Sequence, residues 1–163
     1  MNASNKTMLT KNFSLEEMCV THQKDKDGNT LPNLPHQVTE KDLAEHIVDN
    51  LKFLCEEFLQ PLRDEFVVPI KINSGFRSAD VNKAAGGARN SLHLVGLAAD
   101  IRCRSLREAT KFFDFFWRRS MQCHSYHELI ICYRPKTKAY WLHLSSFRDP
   151  QNNKLKDVMM VYK

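Results

Sequence analysis

Three side chains able to hold a borderline-soft cation lie in the second half of this chain: His93, Asp100 and His143. Imidazole nitrogen and carboxylate oxygen both suit zinc, at bonds of ~2.0–2.2 Å. His93 and Asp100 stand seven positions apart, at the two ends of the apolar run Leu94 to Ala99. Gly96 lets the backbone turn between them, "LAAD" can return as a strand, and Ala98 and Ala99 allow close packing. A catalytic zinc takes three protein groups and keeps one position open for water. His143, in the apolar stretch "YWLHLSS", is the natural third ligand. Taken singly, each residue has a plainer reading, because a strand histidine is commonly a hydrogen-bonded core residue.

These residues need elements to bring them together. Ser14 and Glu17 in "FSLEEM" form a capping box that opens a short helix. The polar 22–38 stretch, with Gly28, Pro32 and Pro35, reads as an exposed loop. Thr39 with Asp42 opens a second helix whose apolar face is Leu43, Ile47, Leu51, Leu54 and Phe58, and Pro61 should bend or end it. "PIKINS" and "LAADIRC" read as strands, with a short helix near Ala79 to Ala85 stopped by Gly86 and Gly87. Ser105 and Glu108 form another capping box, before "LREATKFFDFFWRR". The aromatics Phe112, Phe113, Phe115, Phe116 and Trp117 sit at helical spacing, which marks a core face rather than a stacking platform. "HELIICY" and "AYWLHLSS" flank a short polar linker and predict a hairpin, and "DVMMVYK" closes the chain. Helices first and interleaved strands later give an α+β domain with an antiparallel sheet.

The 163 residues suit one domain, 1–163, with a core that needs no disulfide staples. Cys19, Cys55, Cys103, Cys123 and Cys132 are odd in number and never spaced CxxC, so reduced, buried thiols are expected. No apolar run approaches the ~20 residues of a membrane span. The polar start "MNASNKTMLTKNFS" lacks the apolar core of a secretory signal, which predicts synthesis in a cytoplasm. The net charge of +5 suits an anionic partner but does not name one, and no nucleic-acid-binding motif accompanies Arg118, Arg119, Lys136 or Lys138.

The stretch "SGFRSADVNKAAGGARNSLHLVGLAADI" resembles the signature of the zinc D-alanyl-D-alanine peptidases. That family includes cell-wall carboxypeptidases, phage endolysins and vancomycin-resistance dipeptidases, and the Hedgehog signalling domain shares its fold. The resemblance runs through Ser74 to Ser78, then Ser91, His93, Gly96, Ala98 and Asp100, then Trp141, His143 and Ser145. It implies Zn2+ on His93, Asp100 and His143, and amino-terminal helices packed on an antiparallel sheet. It also implies a metallopeptidase acting on peptidoglycan peptides at or near D-alanine. A monomer with no nucleic-acid or membrane partner is expected besides. A lysin released to the cell wall fits the missing leader best. Arg77 would grip the substrate carboxylate or stabilise the carbonyl oxygen. Ser91 reads either as a hydrogen-bonder to substrate or as a turn residue.

The general base departs from the pattern. Some members place an acid three residues before the last histidine, where this chain has Tyr140. Others place a glutamate at the end of the preceding strand, where Cys132 stands. Glu128 is the candidate replacement, but it lies four strand residues from Cys132, roughly 13 Å along the sheet, which predicts that it falls short of the metal. A loop carboxylate is a second option. A thiol ligand at Cys132, closing the open position of an impaired zinc-binding module, is a third.

Overall fold

The computed structural model describes residues 6–120, 126–153 and 160–162. It is an α+β fold whose five-stranded sheet runs β1 (Ile72–Ser74), β2 (Ala98–Cys103), β4 (Ala139–Ser145), β3 (Glu128–Arg134), β5 (Met160–Tyr162). The first four strands pair antiparallel, as expected, while β5 joins the edge parallel to β3. The β3–β4 hairpin predicted from "HELIICY" and "AYWLHLSS" closes through the polar linker. Cys123 and the residues 157–159 of the closing segment lie outside the described residues.

Side chains alternate across a strand, and the sheet uses both faces. Ala99, Ile101, Cys103, Leu129, Ile131, Leu142 and Leu144 turn to the core. There they meet Phe112, Phe113, Phe115 and Phe116 of α6 (Leu106–Ser120), so the aromatic run is core, with Trp117 left 38% exposed. The opposite face carries Asp100, Glu128, Ile130, Cys132, Trp141 and His143 around an open cavity.

Of the helices, α1 (Leu15–Met18) and α2 (Pro35–Val38) are single turns, and α3 (Lys41–Leu54) packs its Ala44, Ile47, Leu51 and Leu54 inward. Leu43, expected on that face, is half exposed. Both Leu43 and Ala44 satisfy the three–four spacing to Ile47, so periodicity alone does not choose between them. Pro61 does not end the helix. A proline lacks an N–H and crowds the carbonyl four residues back, and the chain answers with a π turn, Cys55–Leu59. Gln60 then bonds the Cys55 carbonyl five residues back, α4 continues over Gln60–Phe66, and α5 covers Ala79–Ala84 before Gly86 and Gly87.

Each capping box is half made. Ser14 accepts from the Glu17 amide and Ser105 from the Glu108 amide, both at 3.2 Å. Glu108 turns instead to the Arg104 amide and guanidinium, and Thr39 caps the Pro35 carbonyl rather than opening α3. The 22–38 loop is exposed along most of its length, yet Asn33 and Pro35 are buried. Asn33 donates to the carbonyls of Cys19 and Phe76 and accepts from the Ser78 amide. It thereby ties the loop to the Ser74–Ser78 segment. No helix among the described residues is long and apolar enough to cross a membrane.

Candidate metal centre

His93 sits in a 3-10 turn, Leu92–Val95, whose first amides are capped by Ser91. Ser91 therefore acts as a turn residue while also lining the cavity. The turn ends at Gly96, with φ of 75°, in the left-handed region that glycine tolerates best. A Cβ there would stand 2.8 Å from the Ile47 carbonyl oxygen, so space and dihedral both demand glycine. The chain then enters β2 and delivers Asp100 next to β4, directly opposite His143. On the other side Asp100 opposes Ser74 of β1.

The Ser74–Ser78 segment fixes the orientation of His93. The Gly75 carbonyl lies 2.6 Å from His93 Nδ1, and a carbonyl only accepts, so Nδ1 carries the proton. Gly75 has its own constraint, because a Cβ on it would stand 2.4 Å from the Met18 carbonyl oxygen. The Arg77 amide returns a bond to the His93 carbonyl at 3.0 Å. His93 Nε2 is thus left with its lone pair, buried and without a hydrogen-bond partner. It faces Asp100 Oδ2 at 3.5 Å.

Two lone-pair atoms facing each other in a buried site repel unless a cation joins them. His143 Nδ1 approaches the other carboxylate oxygen, Oδ1, at 2.8 Å. His93, Asp100 and His143 each offer a donor atom within 4.8 Å of the others. Ligand atoms on a tetrahedral zinc stand ~3.3 Å apart, close to the 3.5 Å between His93 Nε2 and Asp100 Oδ2. The residues present fit a zinc ion.

The electrostatics agree with that assignment. Burial alone would raise the Asp100 pKa, but His93 and His143, when they carry protons in place of a cation, outweigh it and hold the carboxyl well below its usual range. Burial would lower His143, yet hydrogen bonds to Asp100 and Glu128 raise it to about 9. Carboxylates that hold an extra proton on this imidazole offer the same negative field to a divalent cation.

Arg77 also reaches the site. Its Nη2 pairs with Asp100 Oδ2 at 2.5 Å and its Nε donates to Ser74 Oγ at 2.7 Å. The guanidinium stands against the carboxylate and lines the cavity.

Glu128 corrects the sequence expectation. Roughly 13 Å separates it from Cys132, but the register centres the site on Ile130, which opposes His143. Glu128 and Cys132 lie two residues to either side of that point. The Glu128 carboxylate leans back to His143 Nε2 at 3.3 Å and to Ser145 Oγ at 3.4 Å. Apart from Asp100 it is the one carboxylate among the cavity's lining residues. Cys132 is buried in the same wall, but its sulfur is not among the clustered donor atoms. The thiol-ligand alternative therefore has no support in the geometry.

Sequence reading missed Gly75, Ser74, Asn33 and Ser145 as supports of the site. All but Asn33 lie inside or beside the quoted motifs, and that adjacency was the available signal. The cavity above these residues has a volume of about 570 Å³.

Comparison with known proteins agrees with this geometry. A family model described as Peptidase M15 matches residues 11–126, most of the chain, and spans Arg77, His93 and Asp100. The match stops before Glu128, Cys132 and His143, so those three rest on the sheet register. A search of curated proteins found no match. By that match the chain belongs to the M15 peptidases, the zinc-dependent D-Ala-D-Ala carboxypeptidase family of metallopeptidases.

Proposed function

We propose that this protein is a zinc metallopeptidase that cleaves peptidoglycan peptides at or near D-alanine. The observation that carries this reading is the buried His93 Nε2, lacking a hydrogen-bond partner and converging with Asp100 and His143 on the cavity floor. Zinc held by these three residues would supply a Lewis acid for a peptide carbonyl and a water of lowered pKa.

The protein's own groups do the rest. His93 is locked by the Gly75 carbonyl so that only Nε2 faces the site. His143 turns Nδ1 towards Asp100 and Nε2 towards Glu128. Glu128, with 27% of its side chain exposed, takes a proton from the attacking water at a carboxylate oxygen and delivers it to the leaving amine. Arg77 has two nitrogens engaged, so its positive charge serves the developing carbonyl oxygen rather than a bidentate grip on a substrate carboxylate.

Mass spectrometry of muropeptides incubated with the zinc-loaded protein tests this. Loss of a D-alanine residue or scission beside it is expected. Intact muropeptides, alongside a related peptidase that cuts them, would overturn the reading.

A second reading follows from Cys132. This thiol replaces the glutamate that the family resemblance calls for, which suits an impaired zinc-binding module of the same fold. Cys132→Glu separates the two. Activity that appears only in the variant supports the impaired module, and activity already present in the wild type supports Glu128 as the base.

A further inference from the structure

Two arginines line the cavity, and only one of them is committed. Arg77 spends Nε and Nη2 on Ser74 and Asp100. Arg134, at the end of β3, is exposed, and no carboxylate pairs with it among the described residues. Its guanidinium carbon lies 5.4 Å from the centroid of the Trp141 ring. A guanidinium within about 6 Å of a ring centroid is drawn to it by cation–π attraction, and that contact leaves its N–H groups able to donate to a carboxylate.

The sheet register locates this group relative to the metal centre. Trp141 opposes Cys132 and His143 opposes Ile130, so Trp141 stands two strand residues, ~7 Å, from the His143 row. Glu128 lies on the other side of that row, and with Asp100 it makes the His143 end of the cavity negative. The Arg134 end is positive. Arg134 is rooted two residues further along the same strand face, opposite Ala139, and its guanidinium lies over the Trp141 ring, so ~7 Å marks the near edge of its reach. An extended peptide advances ~3.3–3.6 Å per residue, so that edge corresponds to about two residues.

We propose that Arg134, held over the Trp141 ring, is a specificity-determining residue that receives a carboxylate about two residues from the scissile bond. The substrate class is then an acidic peptide. This rests on the peptidase reading above, and the experiment is chosen to separate the two.

The probes are a tetrapeptide with a glutamate two residues from a D-alanyl bond and its glutamine twin. Both are titrated calorimetrically into the metal-free protein and assayed for cleavage with the zinc-loaded protein. Wild type is expected to bind the glutamate peptide about tenfold more tightly than the glutamine peptide, the size of a charge-assisted bond. Arg134→Gln should abolish that preference, Arg134→Lys should keep part of it, and in turnover the change should fall on KM rather than kcat. If the wild type discriminates in binding and Arg134→Gln does not, while neither cleaves, the subsite stands and the peptidase reading falls. Equal discrimination by wild type and Arg134→Gln, or no binding of the glutamate peptide by either, overturns the proposal.

Discussion

The His93 turn and strand β3 form two walls of one cavity but reach their geometry differently. The first is set locally. Within the Ser74–Asp100 stretch, Gly75 supplies the carbonyl that orients the ring, Ser91 caps the turn and Gly96 ends it. The second is set by register alone, since Glu128 reaches His143 only because β3 pairs with β4 as it does. A wall built from steric and dihedral demands leaves a strict sequence signature. A wall built from register leaves no such signature, because positions 128, 130 and 132 all share one strand face and only the pairing with β4 decides which of them meets His143.

The sharpest way to break that comparison is Glu128→Gln. If register brings the base to the site, kcat should fall by ~10²–10⁴-fold while bound zinc stays equimolar by atomic emission. Unchanged kcat would assign the proton to another group. On the locally built wall, Gly96→Ala should act on folding first. The φ of 75° and the 2.8 Å approach to the Ile47 carbonyl predict a loss of roughly 2–4 kcal/mol in urea denaturation. The same change at Gly86, also at positive φ but with open space around it, should cost roughly 1 kcal/mol.

The core thiols provide a control away from both walls. Burial, with Glu16 adding to it, pushes Cys19 up to about 12, and burial with Glu108 does the same for Cys103. Their folded-state pKa values exceed the unfolded value near 9, so the stability they carry is complete below about pH 9. It is lost as pH climbs towards 12, because the unfolded chain releases those protons first. At pH 10.5 each thiol should cost about 2 kcal/mol relative to pH 8, and Cys19→Ala should flatten the slope of denaturation midpoint against pH. An unchanged slope would show that Cys19 is not shielded as its burial implies.

Much of this molecule is legible in its sequence, and the exceptions have physical causes. The strand–turn–strand path from Ser74 to Asp100 was readable because glycines, caps and apolar alternation there all serve one geometry. The α6 aromatics were assigned to the core because their spacing matches a helix face. Leu43 was misplaced because two spacings fit one helix face. Pro61 interrupts the regular helix without ending it, because a π turn absorbs a proline without any signal in residue type. Glu128 was set too far away because its distance was reckoned from a motif position, whereas strand pairing measures from the residue opposite. Asn33 escaped notice because a loop amide that bonds three backbone groups looks like any other polar loop residue.

Metal content decides the central issue: zinc per chain after dialysis against a zinc-buffered solution, in wild type beside His93→Ala and His143→Ala. One equivalent in the wild type and none in either variant is expected if the two imidazoles and Asp100 grip a single ion. A wild type without zinc, or variants that retain it, would contradict a metal centre at these three residues.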